Sequence, residues 1–421
     1  MTATTSQILR GRTLEPHPSE RRLTPRADAL IHVGPDGRIT SVEDAPPGCD
    51  IAETWPGAVL LPGFVDTHLH FPQTRIVGSA SGPLLPWLDG AVFPQEGLFA
   101  DRDYAEAVAT EFCDAMLAQG TTSAAVFSSS HLGATDALFE ELARRDMRAM
   151  AGLTLMNRGA PPALLVDVAP AIEAGEELIR RWHHHGDGRL RVVVTPRFAL
   201  SCDAAMMSRA ADQAARHGLW VQTHLSENTE ELARTADAFP DAADYLGVYE
   251  DLGLIGDRSI VAHCVHLSDD EWERLARHDA VVAHCPDSNF FLGSGCMPLA
   301  RALALGIRVG LGTDIGAGRT FSLRRVAAAA YDASLLLADP VSPEVLLWLA
   351  TRGGAIALGQ EQRTGCIAAG FDADLVAIDL PGTVGDDDLL DALLFRHDAG
   401  PVRATMVHGR VVWPFPTAPA P

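Results

Sequence analysis

The chain has 421 residues, of which 47% are hydrophobic and 21% are charged, and its formal net charge at pH 7 is −22. This composition is typical of a folded globular protein, and the negative charge disfavours nucleic acid or an anionic membrane as a partner, because both would repel it. All 33 basic residues are arginine, which excludes Schiff-base, phosphate-loop and carbamylated-lysine chemistry.

The cysteines and the N-terminus indicate a compartment. The seven cysteines are odd in number and form no CxxC pair, and MTATTSQILRGRTLEP lacks the charged and apolar regions of a secretory signal. No apolar run approaches the ~20 residues of a membrane-spanning helix. We therefore expect a reduced cytoplasmic protein without a membrane partner.

The two ends of the chain have similar patterns. Residues 1–58 contain short strand-like segments separated by turn signals such as Pro35-Asp36-Gly37. Residues 363–421 resemble them, with ADLVAIDL and VRATMVHGRVVW as strand candidates. We predict that both ends fold together into one small β-sandwich domain, with two independent edge hairpins as the alternative.

Residues 59–362 alternate short β-rich runs with amphipathic helical segments such as DYAEAVATEFCDAMLAQG. The runs are almost continuously apolar, as strands buried on both faces are. This α/β pattern predicts a (β/α)₈ barrel of the TIM type. The eight predicted strands are 59–70, 122–128, 147–155, 190–198, 219–226, 259–264, 280–285 and 307–314.

Polar side chains stand at the carboxyl ends of these strands, where barrel enzymes place their active sites. His68 and His70 are two residues apart on the first strand, so both imidazoles point to the same face. His224, His263 and Asp314 end the fifth, sixth and eighth strands. A lone histidine in a core strand is usually structural, but these strand-end residues together favour a site for a borderline cation such as zinc.

The run PGFVDTHLH, the strand-end histidines and the closing GTD resemble the amidohydrolase superfamily. Members with two metals bridge them with a carbamylated lysine after strand four, where this chain has Thr195-Pro196-Arg197. The resemblance therefore implies a single metal. Mononuclear members of this pattern are mostly deaminases with a glutamate three residues after the strand-five histidine, and Glu227 has that position here.

The resemblance narrows to the guanine deaminase family. The motifs DTHLHFPQT, PLLPWLDGAVFPQE, TPRFALSC, THLSEN, VAHCVHLS, AHCPDSN and GLGTD occur in that family's order between residues 59 and 318. One departure is Asp287 in CPDSN, where the family more often has asparagine, and it leaves the local hydrogen bonding open. Families of this kind are commonly dimeric, so we expect a homodimer.

The resemblance implies hydrolytic deamination of guanine to xanthine and ammonia, with a zinc-activated water attacking C2. Glu227 is then the proton shuttle, His263 binds the water or the developing oxyanion, and Asp314 also takes the proton of the water. One zinc ion per chain is assigned to His68, His70, His224 and Asp314.

Recognition of guanine is assigned to Arg197 and Gln73. A guanidinium fork matches the O6 edge of guanine, as in DNA recognition, and Gln73 offers a donor and an acceptor toward N1 and O6. Phe198 is expected on the purine face. The wall or lid is assigned to Trp87, Leu84 and Leu85. The alternatives are core packing for the aromatic residues and a structural ion pair for Arg197.

Other histidines carry less weight in the sequence. His183-His184-His185 precedes GDG and indicates a surface turn, while His284, His131 and His266 are read as structural or adjacent to the site. The alternative function is an amidohydrolase deaminase of another purine, a pterin or a triazine. Hydantoinase-type hydrolysis would need the missing lysine, and a non-enzymatic metal-binding protein would be expected to lack a site residue.

Overall fold

A computed structural model describes residues 6–80, 82–381, 384–396 and 400–414. Strands are numbered in chain order. They are β1 (Gln7–Pro16), β2 (Leu23–Val33), β3 (Ile39–Asp44), β4 (Ala58–Pro62), β5 (Phe64–His70), β6 (Thr121–Phe127), β7 (Arg148–Gly152), β8 (Thr154–Leu155), β9 (Leu190–Pro196), β10 (Trp220–Leu225), β11 (Ser259–His263), β12 (Val281–His284), β13 (Arg308–Leu311), β14 (Leu375–Asp379), β15 (Val402–Val407) and β16 (Arg410–Trp413).

The helices are α1 (Leu84–Trp87), α2 (Phe93–Gly97), α3 (Arg102–Ala118), α4 (Leu132–Arg144), α5 (Val168–Trp182), α6 (His185–Gly188, an irregular turn), α7 (Ala204–His217), α8 (Thr229–Ala238), α9 (Tyr245–Asp251), α10 (Asp269–Arg277), α11 (Pro286–Phe291), α12 (Leu299–Ala304), α13 (Leu323–Leu336), α14 (Pro343–Trp348), α15 (Gly354–Ala357) and α16 (Leu389–Leu394). Several begin at side-chain caps: Asp101 caps α3, Asp203 caps α7 and Asn228 caps α8 by accepting bonds from backbone N–H groups. Short 3₁₀ or π segments cover Phe71–Ile76, Leu88–Val92, Leu98–Ala100, Pro162–Leu164 and Leu349–Gly353.

Eight parallel strands form the barrel. Their order is β5, β6, β7, β9, β10, β11, β12 and β13, with β8 paired beside β9. Each predicted run overlaps one of these strands, so the predicted (β/α)₈ barrel is confirmed. The strands are buried on both faces because side chains fill the interior and helices cover the outside, which explains their apolar sequences.

The barrel closes where its first and last strands meet. Just beyond β13, the backbone N–H of Asp314 donates to the carbonyl of His68 over 2.8 Å. In the opposite direction, the N–H of His70 donates to the carbonyl of Ile315 over 2.9 Å. These two bonds form the seam of the barrel, and three of the predicted metal-ligand residues, His68, His70 and Asp314, lie on it.

Two glycines of VGLGTD permit this closure. A Cβ atom on Gly310 would lie 2.2 Å from Cγ2 of Thr67, and one on Gly312 would lie 2.8 Å from Cβ of His68. Real Cβ atoms do not approach other atoms so closely, so only glycine lets β13 and β5 come together here.

Strands from both chain ends form a second sheet, in the order β16-β15-β14-β4-β1-β2-β3. Its apolar core, which includes Leu60, Leu375 and Met406, is distinct from that of the barrel. The small domain built from both ends is thereby confirmed. The strands of the expected sandwich are hydrogen-bonded into one continuous sheet.

The first predicted run, 59–70, divides into two strands at Gly63. Before it, β4 pairs with β1 and β14 in the small sheet, while β5 after it is a barrel strand. A Cβ atom on Gly63 would lie 2.1 Å from Oγ1 of Thr122, so glycine is required at this crossing. The small sheet therefore extends to residue 62, beyond the division predicted after residue 58.

A buried carboxylate joins the small sheet to the barrel. Asp372 lies between Arg148 at the start of β7 and two arginines of the small domain, Arg38 and Arg363, each 3.4 Å away. Asp372 and Arg148 are 1% and 2% exposed. A charge this deeply buried needs such partners, so the ion cluster fixes how the two units meet.

We predict that Gly310→Ala lowers the free energy of unfolding by about 1–3 kcal/mol, because the added methyl group overlaps Thr67 and opens the barrel seam. Denaturant or thermal unfolding measures the change. Gly133→Ala, where a Cβ atom on α4 meets nothing within 4 Å, is the control and should be neutral or slightly stabilising. Equal stability of the two variants would contradict the seam argument.

Candidate active site

The four predicted metal ligands converge at the carboxyl ends of β5, β10 and β13. Nε2 of His70 lies 3.2 Å from Nε2 of His224 and 3.2 Å from Oδ1 of Asp314, and Nε2 of His68 lies 3.3 Å from the same oxygen. Each of the sets His68, His70, His224 and His68, His263, Asp314 offers ligand atoms within 4.8 Å of one another. All five residues are buried.

The tautomer of His224 tests whether this cluster suits a metal. Its Nδ1 lies 2.6 Å from the carbonyl oxygen of Arg197, which can only accept, so Nδ1 carries the proton and Nε2 presents a lone pair toward His70. Burial lowers the pKa of His70 to about 4 and that of His224 well below its usual value, which keeps both imidazoles neutral. Converging lone pairs and a carboxylate repel unless a cation binds among them, so the donor set fits a metal ion.

Asp314 supplies the negative charge of the cluster. Burial opposes its ionisation, but the adjacent His68 and His70 imidazoles hold the pKa of Asp314 well below its ordinary range. The carboxylate therefore stays ionised beside the neutral rings, as a metal ligand or a proton acceptor must.

Glu227 lies across the cluster from the ligands. Its Oε2 is 3.5 Å from Nε2 of His263, and its Oε1 accepts a 3.3 Å hydrogen bond from the Ser294 hydroxyl. Burial, reinforced by the charge of Asp314, raises the pKa of Glu227 well above its usual range. A carboxyl group with a raised pKa is suited to act as a general acid.

A polar scaffold behind the site fixes these groups. The backbone N–H of Glu227 donates over 2.9 Å to Oε2 of Glu231, whose other oxygen accepts a 2.6 Å bond from the Tyr245 hydroxyl. The Tyr249 hydroxyl donates over 2.8 Å to the carbonyl of His224 and accepts from the Ala199 N–H over 3.0 Å. Helices α8 and α9 thus hold the end of β10 in register with the cluster.

His263 has a partner that the sequence reasoning missed. Its Nδ1 lies 2.9 Å from Oδ1 of Asn289, which leaves Nε2 facing Glu227 and Asp314, the latter at 3.9 Å. Asn289 ends the CPDSN motif, so the motif contained the signal. Its neighbour Asp287 instead accepts from the backbone N–H and guanidinium of Arg319, which answers the open question about this departure.

Arg197 and Gln73 are joined by Glu96, which the sequence analysis did not single out. Nη1 of Arg197 donates to both carboxylate oxygens of Glu96, at 2.9 and 2.7 Å. Nε2 of Gln73 donates to Oε1 of Glu96 over 3.0 Å, and Oε1 of Gln73 accepts from the Gly316 N–H over 3.1 Å. The ion pair considered as the alternative for Arg197 is therefore present, and its arginine lines a cleft beside the ligand cluster.

A cleft lies beside the ligand cluster and is lined by three of its members, His70, His224 and Asp314. Its polar lining includes Gln73, Arg197, Glu227 and His263. The apolar walls are formed by Leu84, Trp87, Leu88, Phe198, Leu292 and Ala317. Phe198 and Trp87 therefore line the cleft while packing in the same apolar cluster, with Leu85 packed beside it.

The remaining histidines lie elsewhere or behind the site. Residues 183–185 form the turn after α5, with His184 and His185 exposed. His284 is fully buried, which lowers its pKa to about 3. His266 bonds the Ser294 carbonyl over 2.8 Å, and His131 is half-buried at the start of α4.

Comparison with known proteins agrees with this geometry. The profile of the Amidohydrolase family matches residues 59–412. The chain belongs to the amidohydrolase family. Among the described residues of this amidohydrolase, no helix combines the length and the apolar composition needed to cross a membrane.

Individual relatives of this amidohydrolase are similar over most of their length. Guanine deaminase of Escherichia coli (strain K12) is 38% identical over 368 residues, or 85% of this chain and 83% of the relative. A solved structure of E. coli guanine deaminase has a TM-score of 0.91 at 34% identity and covers 97% of this chain and 99% of its own. Guanine deaminase from C. acetobutylicum, crystallised with guanine in its active site, has a TM-score of 0.88 at 30% identity, with 97% and 100% coverage.

We predict that Tyr249→Phe lowers the stability of this amidohydrolase by about 1–3 kcal/mol, because the His224 carbonyl and the Ala199 N–H lose a buried partner. Metal affinity should fall by about 10-fold or more, since His224 loses its support. Thermal unfolding and chelator competition measure the two effects. Tyr331→Phe is the control, because the Tyr331 hydroxyl has no hydrogen-bond partner within the described part of the chain. Unchanged affinity in Tyr249→Phe would refute the scaffold role.

Proposed function

We propose that this amidohydrolase is a zinc enzyme that deaminates guanine to xanthine and ammonia. One observation carries the proposal: the Arg197–Gln73 pair lines the same cleft as the ligand cluster and Glu227. Hydrogen-bond donors for a purine edge, an acid and a metal site thus surround one small space. The similarity to guanine deaminases, one of them with guanine bound, supports this choice of ring.

The proposed metal is one zinc ion per chain, held by His68, His70, His224 and Asp314. Histidine nitrogen with a single carboxylate oxygen is a donor set that zinc prefers in catalytic sites. The chain has no lysine, so the carbamylated bridge of two-metal relatives cannot form. Bound zinc supplies Lewis acidity that makes a water molecule acidic near neutral pH.

Proton transfers fall to three side chains of the chain itself. Glu227, whose pKa is raised by burial, delivers a proton to N3 of guanine as water adds to C2, and later helps to protonate the departing amine. Asp314 accepts the proton of the attacking water. His263 orients that water by accepting from it at Nε2, because its Nδ1 is engaged with Asn289.

Binding and orientation fall to the walls of the cleft. Arg197 and Gln73 donate to the O6 edge, which sets C2 and its amine toward the ligand cluster. Phe198 and Trp87 cover the purine and exclude bulk water, and this strengthens every polar contact inside the cleft. The homodimer and the cytoplasmic location stay predictions from the sequence.

Ammonia release from a panel of guanine, 8-oxoguanine, isoxanthopterin, adenine and cytosine tests the function. We expect guanine to be the preferred substrate and adenine to be poor, because adenine carries an amine where guanine has O6 and lacks an amine at C2. Elemental analysis of the same sample should give close to one zinc per chain. A stronger preference for a pterin or an oxidised purine would overturn the substrate, and two metals both needed for activity would overturn the mononuclear site.

Replacing Glu227 by glutamine tests the proton shuttle. The amide keeps size and polarity but cannot carry the proton, so turnover of guanine should fall by roughly 10²-fold or more. Zinc content should stay at the wild-type level, because Glu227 is not assigned as a ligand. Glu230→Gln, on the exposed face of α8 where the carboxylate pairs with Arg234, is the control and should retain activity. Loss of zinc together with activity in Glu227→Gln would show that the residue has another role.

A further inference from the structure

Glu96 is the junction of three buried groups that belong to different parts of the chain. It lies on α2, between the first two barrel strands, whereas Arg197 follows β9 and Gln73 follows β5. Glu96 and Arg197 are each 3% exposed and Gln73 is 1% exposed. One oxygen of Glu96 accepts from both partners, so a single carboxylate sets the positions of both.

These contacts permit only one orientation of the Gln73 amide. A carboxylate can only accept, so the NH₂ end of Gln73 must face Glu96. The Gly316 N–H can only donate, so the carbonyl end must face Gly316. A flipped amide would set oxygen against oxygen and N–H against N–H. Gln73 is therefore held with its second N–H as the group available to a ligand.

Arg197 is restricted in the same way. Its Nη1 is committed to Glu96, while Nε and Nη2 have no oxygen acceptor among the residues that the structure describes. Arginine has no acceptor atom. Gln73 is held in one orientation as well. The side of the cleft formed by Arg197 and Gln73, called the recognition wall below, therefore presents N–H donors.

We infer that Glu96 is a positioning residue that fixes the recognition wall as an array of donors and thereby selects a purine with an acceptor oxygen at C6. The inference rests on the proposed function, because it takes guanine as the substrate and C2 as the reacting carbon. It also narrows the sequence expectation for Gln73, which assigned both a donor and an acceptor to that side chain.

Three purines that share the reacting amine at C2 separate this role from a general effect. Guanine has an acceptor oxygen at C6, 2-aminopurine has only hydrogen there, and 2,6-diaminopurine has an amine that donates. A wall of N–H donors binds the C6 oxygen of guanine favourably and makes no hydrogen bond to C6 of 2-aminopurine. It repels the C6 amine of 2,6-diaminopurine, which is itself a donor.

Glu96→Gln removes the charge and replaces one acceptor oxygen by an NH₂ group. With its oxygen at the position of Oε1, the new amide still accepts from both partners but sets its NH₂ group against Nη1 of Arg197. In the reverse orientation its oxygen accepts from Arg197 and its NH₂ group faces Gln73, which can then turn its own oxygen toward that group and the cleft. The charge that favours a single arrangement is lost in both. We expect kcat/KM for guanine to fall by about 10- to 100-fold, the loss that follows when a charge-assisted hydrogen bond is misplaced. For 2-aminopurine it should change by less than about 3-fold, and for 2,6-diaminopurine it should rise relative to guanine.

The matched control is Glu141→Gln on α4. Glu141 is also a largely buried carboxylate bonded by two side chains, Arg144 and Arg145, but it does not line the cleft. Glu141→Gln should keep the wild-type order of kcat/KM among the three substrates. Zinc content and the unfolding temperature are measured for every variant.

The outcomes are distinguishable. If wild type does not prefer guanine, the proposed function fails before Glu96 is tested. If wild type prefers guanine and Glu96→Gln lowers kcat/KM for all three substrates by the same factor, the positioning role is refuted. Should Glu96→Gln not fold, Glu96→Asp repeats the test, because the shorter carboxylate keeps its charge but cannot reach both partners. A shift in preference toward 2,6-diaminopurine supports the role, since a folding defect cannot produce it.

Discussion

The site depends on the close approach of the first and last barrel strands. Gly310 and Gly312 leave room for the side chains of Thr67 and His68, and backbone hydrogen bonds then hold the two strands together beside Asp314. Two imidazoles and a carboxylate meet there because the strands that carry them cannot be further apart. The contacts that close the barrel therefore also bring together residues of the proposed metal site.

Around that seam, burial and hydrogen-bond partners that can only accept determine where the site residues carry their protons. A carbonyl defines the protonated nitrogen of His224, and an amide oxygen does so for His263. Burial keeps the imidazoles of His70 and His224 neutral and raises the pKa of Glu227, while the neighbouring imidazoles lower the pKa of Asp314. Two carboxyl groups of one cleft thus have pKa values shifted in opposite directions, as an acid and a base in one cleft require.

The sequence predicted those features that follow from local pattern. Strand ends are read from apolar runs, and parallel strands bring their carboxyl ends to one rim, so His68, His224 and Asp314 could be placed together. Glu96 could not, because it lies on a short helix off the strands and its partner Arg197 is 101 residues away along the chain. The break at Gly63 was hidden for a similar reason: β4 and β5 are separated by this one residue, and only its tertiary contact with Thr122 shows where the chain passes from one sheet to the other.

The joint between barrel and small sheet has a consequence for substitutions. Its cations, Arg148, Arg38 and Arg363, are guanidinium groups surrounding the buried Asp372. A neutral residue in place of Asp372 would leave these guanidinium groups without their shared buried counter-charge, which costs more than the loss of an exposed ion pair. The attachment of the two units to each other therefore depends on a single carboxylate.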